Sequence, residues 1–338
     1  MNFYEDKHQT FFIENINTNF NGYNTVFKSL CIKNSVLYYA ERSSIQNKNV
    51  LITSNNTDKN IKMYDFNLEC EDPRLFVFLE KIYIIFNIKR YDVYGRYMCI
   101  SEYENFNPII LKIEGMSPNN IEKNWSPFVK NDKLYFVYLY DPLVILHYDL
   151  NNEGICKVIF RQNDIPLPIN TSHIYLRGST NLLNYKNDVY ISLCHSRIGT
   201  NRINKAGYNY HYYFTHICLL DTINWKITYV SKPLLFNYEN DNSNHYIKTL
   251  PNTTVLFNED EYRCVMYATS LNKIDENNFI VTMNINDHIA LSYKLKINQI
   301  DQDNKIYEIS FWDNKTKEMS IDLIKNYSEY QYEFIQTI

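Results

Sequence analysis

A hairpin recurs along this chain, and its recurrence restricts the fold more than any single strand does. The segments EDPRLFVFLEKIYIIF from Glu71, NWSPFVKNDKLYFVYLY from Asn124 and RGSTNLLNYKNDVYISLCH from Arg177 share one plan. Each opens on a short polar motif containing Pro or Gly and runs into an apolar strand. It then turns through charged residues or Asn and returns in a strand that opens with an apolar residue followed by Tyr. In the first copy Leu75 to Leu79 and Ile82 to Phe86 are of strand length, and Glu80-Lys81 is the expected turn. Tyr83, Tyr135 and Tyr190 mark the returning strand at intervals of roughly fifty residues, a spacing typical of repeat architectures. Weaker copies begin at Lys28 and Cys264. Five copies, each with two further strands, make five four-stranded sheets.

Radially arranged four-stranded sheets are a β-propeller, which buries sheet faces against neighbours and leaves only short edges. The expectation is therefore an all-β, five-bladed β-propeller forming a single domain over 1–338. Its blades fall near 25–70, 71–115, 123–165, 173–237 and 254–300, with a C-terminal extension at 301–338. Phe11 to Ile13 are expected to complete the last blade. Ile198 to Tyr210 reads as an ordinary surface loop or as a flap over one face. Met319 to Tyr327 reads as a terminal helix.

Composition narrows the function classes. A net charge of −4 argues against a protein that holds nucleic acid by bulk electrostatics. No run of about 18 apolar residues is present, and the acidic start MNFYEDKHQTFF does not read as a signal peptide, so a soluble, cytoplasmic protein without a membrane partner is expected. Seven widely spaced cysteines without a C-x-x-C pair fit free thiols in a reducing compartment. Tyr 31 and Phe 19 make the chain rich in aromatics, and Asn, Ile and Lys are abundant while Gly is scarce at 7. All the abundant types have AT-rich codons, so base composition accounts for much of the bias. The histidines His173, His211, His216 and His245 lack metal-ligand spacing, and neither a metal nor an organic cofactor is expected.

In a propeller the inner strands begin at one end of the central channel, so the polar motif of every copy converges there. The converging groups are Glu71, Asp72 and Arg74, then Lys123, Asn124 and Trp125, then Arg177 and Ser179, and Asp287 from the last copy. His195 and Arg197 follow on the returning strand of the fourth copy. Acids beside Arg, Lys and His supply a general acid and an anion cradle. A turn with a local ion pair is the simpler account of Asp72 and Arg74 taken alone.

The order of these motifs resembles the glycoside hydrolase family 130 mannoside phosphorylases and their mannosyltransferase relatives. EDPR before a blade hairpin, NWSPF followed by Tyr140-Asp141-Pro142, RGST with His195, and MNINDHIALSYKL carry the resemblance, which spans about Glu71 to Leu295. It departs at Met283-Asn284-Ile285, where that family has an aromatic residue and glycine. The resemblance implies a five-bladed propeller that forms or cleaves a mannoside-type bond by phosphorolysis or by transfer from a sugar phosphate. Asp72 is then the general acid. Lys123, Arg177, His195 and Arg197 are the phosphate ligands, and Glu71, Arg74, Asn124, Trp125, Asp141 and Asp287 contact the carbohydrate. Inorganic phosphate or a sugar phosphate is the implied co-substrate. Trp125 and Tyr140 are sugar-stacking faces or buried propeller aromatics, and the sequence leaves both readings open. A hydrolase using Glu71 or Asp287 as a second carboxylate, and a propeller that binds glycan or protein without catalysis, are the rival readings.

Overall fold

Period-two alternation and two-residue turns dictate a chain of short strands, and the computed structural model is all-β. It describes residues 2–6, 9–16, 25–45, 48–55, 62–64, 69–90, 95–116, 122–162, 176–203, 209–231, 263–285 and 289–297. The expected helix at Met319 to Tyr327 lies outside them. β1 (Asn2–Asp6) and β2 (Gln9–Ile16) form a hairpin. β3 (Thr25–Lys33), β4 (Val36–Ile45), β5 (Lys48–Asn55) and β6 (Lys62–Tyr64) make the first antiparallel sheet. β7 (Glu69–Phe78), β8 (Lys81–Arg90), β9 (Gly95–Glu102) and β10 (Ile109–Ile110) make the second. β11 (Lys112–Ile113) joins the outer edge of the third, formed by β12 (Ser126–Lys130), β13 (Lys133–Tyr140), β14 (Leu143–Tyr148) and β15 (Ile155–Arg161). β16 (Leu176–Gly178), β17 (Leu183–Lys186), β18 (Val189–Ile203), β19 (Asn209–Asp221) and β20 (Lys226–Val230) follow. The last described strands are β21 (Arg263–Lys273), β22 (Asn278–Ile285) and β23 (Ile289–Ile297).

Successive sheets pack face to face. Cys31, Ala40, Leu75, Ile84 and Phe86 fill the space between the first and second, and Phe76, Ile85, Met98, Trp125 and Phe136 that between the second and third. Phe128, Val137, Tyr140, Cys194 and Leu220 join the third to the β16–β20 unit. Phe27 meets Tyr267 across the remaining junction, which closes the arrangement. The six cysteines with described side chains are buried and form no disulfide.

The innermost strands have open edges, and a buried open edge needs hydrogen-bond partners. Neighbouring units supply them from short polar side chains. The N–H groups of Leu30 and Ile32 on β3 donate to Ser270 Oγ and Asn272 Oδ1 at 3.2 and 3.1 Å. Ser29 Oγ accepts from the Leu75 N–H of β7 at 3.0 Å, and the Asn181 amide bonds both backbone groups of Leu271. These links turn a row of sheets into a propeller-like ring. The N-terminal segment closes it as expected, with Phe11, Phe12 and Ile13 pairing antiparallel to Ile297, Lys296 and Leu295.

Two expectations need correction. Among the described residues the hydrogen bonding gives four sheets, not five separate ones, because β16–β20, β21–β23 and β1–β2 form a single ten-stranded sheet. The cause is the segment expected as a loop or flap. Ile198 to Ile203 continue β18 and Asn209 to Tyr210 begin β19, and the lengthened β19 pairs in parallel with β21 through His211 to Tyr213 and Arg263 to Val265. The first hairpin turn is also one residue earlier than expected, at Leu79-Glu80, because buried Phe78 keeps the strand alternation and pairs with Lys81.

That turn has φ of 45° and 55°, the left-handed geometry that fits strand twist but suits Asn-Gly far better than Leu-Glu. Leu79 is half exposed and contributes little packing. Replacing Leu79→Asn together with Glu80→Gly should raise stability by about 1 kcal/mol, read as a higher urea midpoint at unchanged slope.

His216 gives a second prediction. Its Nδ1 donates to the Ser231 carbonyl at 2.9 Å and its Nε2 accepts from the Ser196 hydroxyl at 2.9 Å. Burial lowers its pKa to about 4, against the smaller opposing effect of the Ser231 bond. The unfolded chain then binds more protons between about pH 6.5 and 4, so the stability from neutral His216 is complete above that window and falls as pH drops through it, by on the order of 3 kcal/mol. Urea midpoints at pH 7 and 5 should fall less in His216→Gln than in the unsubstituted chain. That difference isolates His216 from Asp141, whose carboxyl burial raises to about 6 and which acts in the opposite sense.

Candidate active site

The EDPR motif is a β-bulge. Glu71 pairs with Asn87 and Arg74 with Ile85, which leaves Asp72 and Pro73 together opposite the single residue Phe86. Asp72 has φ 54°, a conformation rare outside glycine, and the bulge turns its carboxylate out of the strand ladder. Asn124, at the matching place before β12, has φ 65°.

Arg74 ties these two positions to the other units. It is fully buried. Its Nε donates to the Ser179 carbonyl, Nη1 to the Asp72 carbonyl at 3.5 Å, and Nη2 to Asn124 Oδ1 at 3.1 Å and to the Tyr267 hydroxyl. Tyr267 Oη in turn faces Asn124 Oδ1 at 2.7 Å and the Gly178 carbonyl at 3.2 Å. Ser179 Oγ lies 2.8 Å from His195 Nδ1, and the imidazole sits edge-on to Tyr267 and is stacked on Tyr213. Gly178 is obligatory here, since a Cβ would stand 2.3 Å from the Asn124 carbonyl and from Ser126 Oγ. Strands from the second, third and ten-stranded sheets therefore meet at one centre.

A charged layer lies beside this centre. Asn87 Nδ2 donates to Asp72 Oδ2 at 3.4 Å, and Arg42 Nη1 lies 4.0 Å from Asp72 Oδ1. Arg96 Nη1 donates to Asn87 Oδ1 at 3.2 Å and pairs with Glu71 Oε2, which Lys123 Nζ also approaches at 3.5 Å. Burial acts to raise the Asp72 carboxyl, but Lys123, Arg42, Arg74 and Arg96 together outweigh it and hold the group below the usual carboxylate range. The side chain is thus a carboxylate at neutral pH, in the form that accepts a proton though a weaker base than an ordinary aspartate.

The convergence expected from sequence brings Glu71, Asp72, Arg74, Lys123, Asn124, Ser179 and His195 together. Arg177, half-buried on β16, pairs in register with His195. Because Ser126 pairs with Val137, the turn after Tyr140 lies level with Lys123 and Asn124, which brings half-buried Asp141 to the same end. Arg197 follows two residues beyond His195 on β18, in register with Tyr213. Asp287 lies outside the described residues.

Four expected contacts are corrected by burial. Trp125 is enclosed between the second and third sheets with Nε1 donating to Glu122 Oε2 at 3.1 Å, so no ring face is open to a sugar. Tyr140 is likewise enclosed, its hydroxyl 3.1 Å from Ser192 Oγ. Arg74 is a positioning residue with its donors turned to protein groups. His195 is also buried, its Nδ1 engaged with Ser179. Sequence reasoning missed Arg42, Asn87, Arg96 and Tyr267. Register was the available signal, since Asn87 stands opposite Glu71 and Arg96 two strands away at the same end. Among the described residues no cluster of three His, Cys, Asp or Glu suited to a metal ion is assembled.

Comparison with known proteins gives this geometry a context. The chain is 31% identical over 122 residues to Beta-mannosyltransferase 3 of Komagataella phaffii, covering 34% of this chain and 20% of that protein. It is 29% identical over 177 residues to Beta-mannosyltransferase 3 of Candida albicans, covering 47% of this chain and 32% of that protein. The chain thus spans less than two thirds of the length of these relatives. Among solved structures it resembles a mannose phosphorylase from Leishmania mexicana in complex with phosphate ion, with a TM-score of 0.51 and 10% identity over 82% of this chain and 85% of that one. A GDP-Man-dependent mannosyltransferase from Leishmania mexicana has a TM-score of 0.51 and 11% identity over 79% and 82%. At such identities these likenesses show the fold alone. The family model described as "BMT: Beta-mannosyltransferases" matches residues 44–242, more than half of the chain. The chain belongs to the beta-mannosyltransferase family.

Proposed function

We propose that this chain transfers a mannosyl residue between a phosphate-bearing donor and a sugar hydroxyl, with Asp72 as the group that moves the proton. The observation that carries the reading is the Asp72 carboxylate, turned out of its strand by the bulge and set among four cations. In the synthetic direction Asp72 takes the proton of the acceptor hydroxyl as that oxygen bonds to the anomeric carbon. The bond from that carbon to the phosphoryl oxygen breaks, and its electron pair leaves with the phosphate. In the reverse, phosphorolytic direction the protonated Asp72 gives the proton to the glycosidic oxygen. The carboxylate form favours synthesis as the resting assignment, so the general-acid role expected from sequence belongs to the reverse step. Lys123 and Arg177 supply fixed positive charge for the leaving phosphate.

Hydrolysis is the weaker alternative, because the second carboxylate at hand, Glu71, is engaged by Arg96 and Lys123 instead of facing open solvent. The test is incubation with mannose 1-phosphate or GDP-mannose and a panel of mannoside acceptors, following phosphate or GDP release and product mass. Asp72→Asn should lower the rate by about 10²- to 10⁴-fold, the usual worth of a positioned acid or base. Arg177→Ala should weaken turnover with mannose 1-phosphate. No release from either donor would sink the enzymatic reading in favour of a binding propeller.

A further inference from the structure

Arg96 and Lys123 converge on one carboxylate oxygen, Glu71 Oε2, and both also act on the neighbouring Asp72 carboxylate. The convergence is built into the backbone. The Glu122 N–H donates to the Arg96 carbonyl at 3.0 Å, which binds the start of β9 to the segment before β12 and sets the two side chains together. Asn87 Oδ1 accepts from Arg96 Nη1 at 3.2 Å and fixes the guanidinium direction. The side chains of Glu71, Arg96 and Lys123 retain 12%, 20% and 30% exposure, so an anion reaches the site from solvent without unpacking the core.

A half-buried carboxylate between two cations has the charge, size and donor demand of one edge of a phosphoryl group. A phosphoryl dianion would balance both cations, where a carboxylate balances one. Glu71 also directly precedes the bulged Asp72, so movement of its side chain is local to the reacting centre.

We propose that Arg96 and Lys123 form a phosphoryl-binding site and that the Glu71 carboxylate is its internal occupant, displaced when the anionic co-substrate enters. This deepens the proposed function, since it rests on a co-substrate that carries phosphate. Glu71 then sets phosphate affinity by competition and is no substrate ligand. Once displaced, it faces the same end of the ring as the acceptor would. Lys123 and Arg96 are two of the cations acting on Asp72, so a dianion seated on them also lessens their hold on its carboxylate.

The test is calorimetric binding of inorganic phosphate to the full 338-residue chain and its variants at pH 7 and constant ionic strength. Glu71→Gln should tighten phosphate about tenfold, the scale of one charge-assisted contact, while Arg96→Gln and Lys123→Gln should each weaken it by about as much. Phosphate affinity unchanged or weakened in Glu71→Gln overturns the proposal, as does absence of phosphate binding in every form. If circular dichroism shows that Glu71→Gln does not fold, Glu71→Asp replaces it. Its shorter side chain retracts from Lys123, and an unchanged affinity there overturns the proposal equally. Failure of this idea is separable from failure of the enzymatic one. Asp72-dependent mannosyl transfer with no effect of Glu71→Gln on phosphate affinity sinks the competition alone. Tighter phosphate in Glu71→Gln without turnover from any donor supports the site and removes the transfer reaction.

Discussion

The structure depends on one buried guanidinium. Burying an isolated cation costs several kcal/mol even after relaxation, and a burial like that of Arg74 is tolerable only when its donors are bonded and a negative charge is near. Ser179, Asn124, Tyr267 and Asp72 meet that demand from separate strands and loops, so the units cannot shift without stranding a donor. The same bonds fix Asp72 and Asn124 in left-handed conformations that Asp and Asn tolerate better than most residues. Folding and site geometry are therefore one problem here. A change that loosens the centre, such as loss of the Tyr267 hydroxyl, acts on both together.

The inner-strand edges show a related economy of means. Ser29, Asn181, Ser270 and Asn272 are small polar residues inside the ring, where apolar packing alone would leave edge N–H and C=O groups bare. Each such side chain is short enough to lie in a strand interior and polar enough to complete its neighbour's edge. That explains how a ring with a modest apolar core between sheets still has a polar, ordered axis. Asp72 lies at the end of that axis among cations, where its ionisation answers to the charge of whatever binds beside it.

Much of this was legible in the sequence, in those parts where local pattern and tertiary contact agree. The hairpins from Glu71, Asn124 and Arg177, the closing pair of Phe11 to Ile13 and the convergence of Asp72 with Asn124, Ser179 and His195 all follow from alternation and repeat position. The extension of β18 and β19 was not legible, because Ile198 to Tyr210 holds three Asn and two Gly and carries no apolar alternation. The pairing of β18 with β19 makes it strand, and the adjoining pairing of His211 to Tyr213 with β21 merges two expected sheets. Trp125 shows the opposite failure. Its place beside the motif suggested a sugar face, but the left-handed backbone at Asn124 precedes it and its indole bonds inward to Glu122. Arg42, Asn87 and Arg96 stand at strand ends without a motif of their own, visible only once the register is known.

The left-handed backbone positions have a consequence for how such a chain can change over generations. Asn34, Asn124, Asn131 and Asn187 all adopt positive φ, whereas among the described glycines only Gly115 and Gly154 do so. Asparagine tolerates this region because its short amide bonds locally, and its codons are the kind that base-composition drift accumulates. Mutational pressure that strips glycine from a genome is thus nearly neutral for these hairpins. A repeat architecture built on such turns stays recognisable in three dimensions long after its residue identities have diverged.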